Sequence, residues 1–312
     1  MNPWRFHNDG AASGALNMAR DEHALQSAAR DGVPRVRLYA WERLTLSVGR
    51  TQQVERQVDL AACRRLGIPV VRRITGGRAV LHGSDLTYSL AAPLAAPLAG
   101  PLARSGAGPL AAPVLATRAA PLPATAAGSG AAPLDAAARE GILGLYRELS
   151  RVFVRFFDRL GLAPQVQVYT GRQRAGLASP VCFATPSAFE ILLGGRKIVG
   201  SAQRLMPGAF LQHGSIPLAP QEAVLAQVFR AGAGVEMARH MTDLSTAGVL
   251  AHVTAGELRA LLAGCFAETL GVTLLPAAWS AADTEAARRA AASYPDLGGG
   301  AGADTLNEAP GN

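Results

Sequence analysis

Lysine is all but missing from this chain of 312 residues: 29 of its 30 basic residues are arginine, and the remaining one is Lys197. Wherever arginine can stand in for lysine it does, so the surviving amine marks a place where a guanidinium would fail. What an amine can do and a guanidinium cannot is give up its proton. Cysteine is scarce as well. Cys63, Cys182 and Cys265 are too few and too scattered for a disulfide framework or a zinc knuckle, so each is read as a single thiol. No uninterrupted apolar run is long enough to cross a membrane, because the longest candidate, Ala91 to Leu134, carries a proline every few residues. The first thirty or so residues mix Asn, Asp, Glu and His into the apolar positions and lack the basic start of a secretion signal, which leaves a cytoplasmic setting as the expectation. Aromatic residues are 5% of the chain, too few for the stacking platforms that single-stranded nucleic acids require. Against 23 acidic residues the basic ones leave a net charge of +7, which favours an acidic partner of another kind.

What the chain does have is 49% hydrophobic residues, enough for a substantial core. Ser13 is placed to cap a helix over about Gly14 to Ala29, and Val36–Tyr39 and Leu44–Val48 read as strands, with Gly49 closing the second. Leu60, Cys63 and Leu66 recur at helical spacing, which makes Cys63 a core side chain. Further strands are expected over Val70–Ile74, Ala79–Leu81 and Leu86–Leu90, with Gly76-Gly77 as a tight turn. Residues 91–134 then hold eight of the 20 prolines and no acidic residue, a composition that reads as an insertion looping out of the domain. Asp135 is expected to cap a long helix with Ile142, Leu145, Leu149, Val152, Phe156 and Leu160 as its apolar stripe. Gly194-Gly195 has the spacing of a two-residue hairpin that puts Lys197 on a strand. Thr254 with Glu257 predicts a capping box for a helix that buries Cys265, Ser280 with Asp283 starts a last helix, and a Gly-rich tail follows. Strands and helices in this order, without a βαβ rhythm, indicate an α+β fold.

Two segments carry candidate chemistry. Arg72 to His82 gathers arginines, Thr75, the glycine pair and an imidazole into eleven positions, a mixture suited to a polar or phosphate-bearing group, yet without the lysine and spacing of a phosphate loop. Cys182 lies in a proline-flanked stretch fifteen residues before Lys197 and, unlike the other thiols, is not on an apolar helical stripe. The thiolate is the reactive form of cysteine, and an ammonium within about 4 Å favours it by roughly 4 kcal/mol at an effective dielectric near 20. The same amine can pass a proton to a leaving group and take one from an attacking group, as nucleophilic acyl transfer requires.

Several ordered motifs together resemble one family. Asn17-Met18 with Asp21-Glu22, the run Thr45 to Gly49, the run Arg72 to Leu90, Pro186 to Ile191, Gly195 to Gln203 and Gln212 to Ser215 are similar to the lipoate-protein ligase A and octanoyltransferase family. The resemblance spans roughly residues 1–90 and 135–293. It implies a biotin/lipoate protein ligase-like catalytic domain over 1–293, a mixed central β-sheet packed with helices, interrupted by the 91–134 insertion and followed by a disordered tail over 294–312. LipM-type octanoyltransferases have a cysteine in the position that corresponds to Cys182, and Arg78 stands where the ligases more often have glycine. The implied activity is transfer of octanoate from octanoyl-acyl carrier protein to a lysine of a lipoyl domain, such as glycine-cleavage H protein, through a Cys182 acyl-thioester. By the same resemblance Lys197 lowers the thiol pKa and relays protons, while Arg73, Thr75, Gly76, Gly77 and His82 line the acyl and carrier-arm pocket. No metal or cofactor is called for, since the thioester already carries the activation energy. The other readings are an ATP-dependent lipoate ligase, an amidotransferase between lipoyl domains, and a non-catalytic module that binds acyl carriers.

Overall fold

The computed structural model describes residues 3–94, 132–168, 189–230 and 232–299. The first part of the chain forms β1 (Trp4–Ala12), α1 (Gly14–Asp31), β2 (Arg35–Trp41), β3 (Thr45–Val48), α2 (Val54–Gln57), α3 (Leu60–Arg65), β4 (Val70–Arg72), β5 (Val80–His82) and β6 (Asp85–Pro93). There follow α4 (Ala132–Arg139), α5 (Ile142–Arg159), β7 (Gln165–Val168), β8 (Phe189–Leu193), β9 (Arg196–Lys197), β10 (Gly200–Met206) and β11 (Ala209–Pro217). The last elements are α6 (Glu222–Val228), α7 (Ala233–His240), α8 (Ala255–Leu270), β12 (Leu274–Pro276) and α9 (Ala281–Ala291).

Six strands make the main sheet in the order β10-β11-β6-β2-β1-β12. β1 runs parallel to both β2 and β12, whereas β6 is antiparallel to β2 and β11, so the sheet is mixed. Strand alternation divides its side chains between two helical layers. Val36 and Leu38 of β2 and Tyr88 and Leu90 of β6 pack with Phe153, Phe156 and Phe266 of α5 and α8. The opposite face carries Tyr39 and Trp41 with Met18, and Ala91 and Leu211 with Ala24 and Leu25 of α1. Two three-stranded sheets, β4-β3-β5 and β7-β8-β9, flank this body.

Helix starts follow local chemistry. The Ser13 side chain accepts from the Leu16 amide, and Thr254 with Glu257 and Ser280 with Asp283 form complete capping boxes. At Asp135 the structure departs from expectation. α4 is a separate short helix that contains this residue, and the chain turns through Gly141 at φ 77° before α5 begins at Ile142. Leu145, Leu149, Val152 and Phe156 are buried as the stripe requires, but Ile142, the first residue of α5, is 43% exposed. The insertion edges also shift. β6 remains paired with β11 as far as Pro93, and Leu134 is buried in α4. Beyond residue 293, Tyr294 donates to Glu22, and the Asp296 carboxylate accepts from the Val70 amide, which ties residues 294–299 to α1 and β4. The rest of the insertion and of the tail lies outside the described residues.

Candidate active site

Parallel pairing of β3 with β4 and antiparallel pairing with β5 puts the two ends of the Arg72–His82 segment on either side of β3. The connection between them must therefore pass over the end of β3, and it does so through Thr75, Gly76 and Gly77. Gly77 has φ 84°, a conformation that disfavours any side chain. A Cβ built on Gly49, at the end of β3, would lie 1.9 Å from the Gly77 carbonyl oxygen, so this crossing needs glycine at both places.

A cleft opens beside this turn, with Met18, Trp41, Ser47, Arg73, His82 and His213 among its walls. Trp41 stacks on the His82 ring at 4.1 Å between centroids, and its indole N–H donates to Thr87 at 2.9 Å, so a large apolar surface is held in one pose. Gly214 stands next to His213 because a Cβ there would fall 2.3 Å from the Gly200 carbonyl oxygen. Arg73 is buried, and its guanidinium donates to protein oxygens from every nitrogen. Nε reaches Thr75 Oγ1 at 3.1 Å, Nη1 reaches the Ser47 carbonyl and Oγ at 3.0 and 3.1 Å, and Nη2 reaches the Gly76 and Arg78 carbonyls at 3.0 and 2.6 Å. In this arrangement Arg73 shapes the wall and fixes the glycine turn.

Two carboxylates lie behind the wall. Asp85 is fully buried and accepts from His82 Nδ1 at 2.7 Å, Thr87 at 2.8 Å, Ser215 at 2.7 Å and the Gly83 amide at 2.9 Å. Burial works against its charge, but the interaction with His82 and the other hydrogen bonds outweigh it and hold the carboxyl below the usual carboxylate range. Asp21 on α1 receives Arg37, Tyr39 and His213. Burial again opposes the charge, and Arg37 together with His213 carries the balance downward. For His213 burial dominates and pushes the imidazole down, in spite of the Asp21 bond.

Of the residues singled out in the sequence, Arg73, Thr75, Gly76 and His82 meet in one hydrogen-bonded wall, and Gly77 holds the crossing behind it. Lys197 is on β9, directly after Gly194 and Gly195 at φ 55° and 74°, as the hairpin spacing predicts. Its amine lies 2.6 Å from Glu190 across the hairpin, and both side chains are buried. Three residues later the chain reaches Gly200, part of the cleft wall, so Lys197 stands within about 11 Å of that wall by chain length alone. Cys182 lies outside the described residues. Cys63 and Cys265 are fully buried, and burial pushes the Cys63 thiol up to about 11 and the Cys265 thiol in the same direction. Neither is suited to act as a nucleophile.

Sequence reasoning missed Asp21, Ser47, Asp85, Glu190 and His213 as working residues, although all five fall within the quoted motifs. Among the described residues, no group of three His, Cys, Asp or Glu side chains is arranged to hold a metal ion, and no helix is long and apolar enough to cross a membrane.

Comparison with known proteins gives concordant matches. Residues 13–103 match the model of the lipoyl protein ligase A/B catalytic domain. Octanoyltransferase LipM of Geobacillus kaustophilus is 37% identical over 232 residues, which cover 73% of this chain and 69% of that protein. Octanoyltransferase LipM of Kyrpidia tusciae is 33% identical over 311 residues, or 94% and 97% of the two chains. Among solved structures, a lipoate protein ligase of T. acidophilum with bound lipoic acid aligns at a TM-score of 0.66 and 19% identity, over 93% of this chain and 94% of that one. This last match concerns the fold, and it bears out the ligase-like mixed sheet.

Proposed function

The chain belongs to the LipM octanoyltransferase family, and on that premise we propose that it transfers octanoate through an acyl-thioester on Cys182, with octanoyl-acyl carrier protein as the donor. It is an acyltransferase of protein lipoylation whose acceptor is a lipoyl-domain protein. Glycine-cleavage H protein is the acceptor we favour, and a cytoplasmic setting goes with this reading.

The observation that carries the mechanism is the position of the one lysine: buried, ion-paired with Glu190, and three residues from the cleft wall. In the first half-reaction the Cys182 thiolate adds to the thioester carbonyl, the carbon–sulfur bond to the carrier breaks, and the departing thiolate takes a proton from Lys197. In the second, the neutral ε-amine of the acceptor lysine adds to the Cys182 thioester, the enzyme sulfur leaves as thiolate, and Lys197 regains its proton from the attacking nitrogen. Carrier thioester and amine become carrier thiol and amide, with no net change in the enzyme. Both tetrahedral intermediates place negative charge on oxygen, which pre-oriented N–H groups must stabilise. Arg73, Thr75, Gly76, Gly77 and His82 shape the pocket for the acyl chain and carrier arm. A net charge of +7 suits the acidic surfaces typical of acyl carriers and lipoyl domains.

Intact-mass measurement after mixing with octanoyl-acyl carrier protein, followed by peptide mapping, tests the reading. One octanoyl adduct on Cys182, lost in Cys182→Ser and discharged by a lipoyl domain, is the expected result. Acylation of the lipoyl domain from free octanoate only when ATP is present would overturn it.

A further inference from the structure

Arg73 meets two hydroxyl groups, and the direction of each hydroxyl proton can be worked out. A guanidinium only donates, so both Thr75 Oγ1, 3.1 Å from Nε, and Ser47 Oγ, 3.1 Å from Nη1, must accept from it. Each hydroxyl then has one proton to place. The Thr75 hydroxyl lies 2.6 Å from His213 Nε2, and that of Ser47 lies 2.8 Å from His82 Nε2. A hydroxyl oxygen can accept twice, but its proton needs an acceptor, and the one each of these hydroxyls meets is Nε2; both imidazoles therefore present a bare Nε2 and carry their proton on Nδ1. On that side each meets a carboxylate, Asp21 at 2.8 Å from His213 and Asp85 at 2.7 Å from His82. The carboxylates are themselves fixed, Asp21 by Arg37 and Tyr39, Asp85 by Gly83, Thr87 and Ser215. Two chains of the same composition thus converge on one guanidinium, from α1 and β11 on one side and from β5 and β6 on the other.

We propose that Asp21 and Asp85 are positioning residues for the acyl-transfer site, each acting through an imidazole and a hydroxyl to hold Arg73, and through Arg73 the Gly76–Arg78 turn at the cleft. The proposal rests on the functional reading above for the substrate, an acyl thioester, but not for the geometry. If either imidazole carried its proton on Nε2, its Nδ1 would face the carboxylate with no proton to donate, and the neighbouring hydroxyl would lose the acceptor for its own proton. The orientation of the hydroxyl toward Arg73 would then no longer be set, and the hold on the turn would loosen. Groups facing the two imidazoles are Asp21 from α1, Arg37 and Tyr39 from β2, Arg73 after β4, and Asp85 from β6, with each imidazole also near the other.

Two measurements on the full-length chain test the proposal. Nitrogen-15 spectra of the wild-type protein at pH 7.5 report the imidazole tautomers, and the Nδ1–H form is expected for both His82 and His213. An Nε2–H form at either one overturns the proposal, whatever any variant does. Single-turnover transfer from octanoyl-acyl carrier protein is then compared in Asp85→Asn, Ser47→Ala and the double variant, and in Asp21→Asn, Thr75→Val and their double. Each single change is expected to lower the rate constant about 10- to 100-fold, the range seen when partners that orient functional groups are removed. Within each arm the double variant is expected to be no slower than about the worse single, because the aspartate acts through the hydroxyl, and Thr75→Ser is expected to recover part of what Thr75→Val loses. Multiplying losses within an arm would overturn the proposal. Absence of a Cys182 adduct in the wild type would instead refute the functional reading, leaving the tautomers and the coupling to be judged separately.

Discussion

Lys197 Nζ and Glu190 Oε1 lie 2.6 Å apart, with side chains 3% and 5% exposed, so the chain's one lysine is held in a buried ion pair. Removing either member takes an ion-pair partner from a buried charge, and breaking a buried pair typically costs about 3–5 kcal/mol. Glu190→Leu and Lys197→Met are each expected to lose stability in that range, while the double variant recovers much of it. Urea denaturation of the three variants checks this; losses that simply add would mean that the pair is not coupled. Lys197→Arg keeps the charge, and is expected to retain part of the acylation rate while losing proton relay in deacylation. Wild-type rates in both half-reactions would remove Lys197 from the mechanism.

The other two thiols supply a second expectation. Cys63 and Cys265 are fully enclosed, and burial raises both thiols, the first to about 11. Iodoacetamide at pH 7.5 should alkylate Cys182 in the native protein and leave these two untouched. Cys63→Ala and Cys265→Ala are expected to lose about 1–2 kcal/mol of stability each, through lost packing, with transfer rates unchanged. Rapid labelling at Cys63 or Cys265 in folded protein would reverse the assignment.

At the glycine crossing, Gly49→Ala would drive a methyl group to within 1.9 Å of the Gly77 carbonyl, so the turn must move. Overpacking of this kind costs about 1–3 kcal/mol. Because the displaced turn is also held by Arg73 at the cleft, the loss should extend to transfer, by tenfold or more in kcat/KM. Gly32→Ala, at a helix end where a Cβ would meet nothing within 4 Å, serves as the comparison for backbone strain alone. Equal kinetic losses in the two variants would refute a local effect.

Acid should weaken the fold through His7. Both ring nitrogens are buried with no hydrogen-bond partner among the described residues, and the ring stacks on Trp279 at 4.1 Å. Burial lowers its pKa to about 4 from 6.5, with Asp9 opposing and Arg37, Arg35 and Arg5 reinforcing the shift. The unfolded chain takes up a proton near pH 6.5 and the native chain does not until about pH 4, so stability declines as pH falls through that window. The loss is on the order of 2 kcal/mol once screening is allowed for. His7→Phe keeps the stack and removes the titration, so its unfolding free energy should fall less between pH 7 and pH 4.5. His213, also lowered by burial, leaves a residual slope of the same sign. Parallel curves for wild type and His7→Phe would exclude His7 as a source.

Helix caps, the Gly194-Gly195 hairpin and the burial of Cys63 and Cys265 were legible because each depends on residues a few positions apart, where backbone geometry alone decides the outcome. β1 was not foreseen. Its stretch Arg5 to Gly10 is largely polar, and it becomes a strand because β2 and β12 supply parallel partners on both sides. The long helix expected from Asp135 divides at Gly141, where a positive φ breaks the ladder.

The same division runs through the site. Residue types and order in the Arg72–His82 segment were enough to single out Arg73 and His82, which line the cleft, because chemistry of this kind depends on which groups are present. Which group orients which was left to the tertiary structure. Asp21 and His213 are 192 positions apart, and Thr75 and His213 are 138 apart. Hydrogen bonds act over about 3 Å, and only the packing of α1, β11 and the β3–β5 sheet around one cleft brings those atoms within that range.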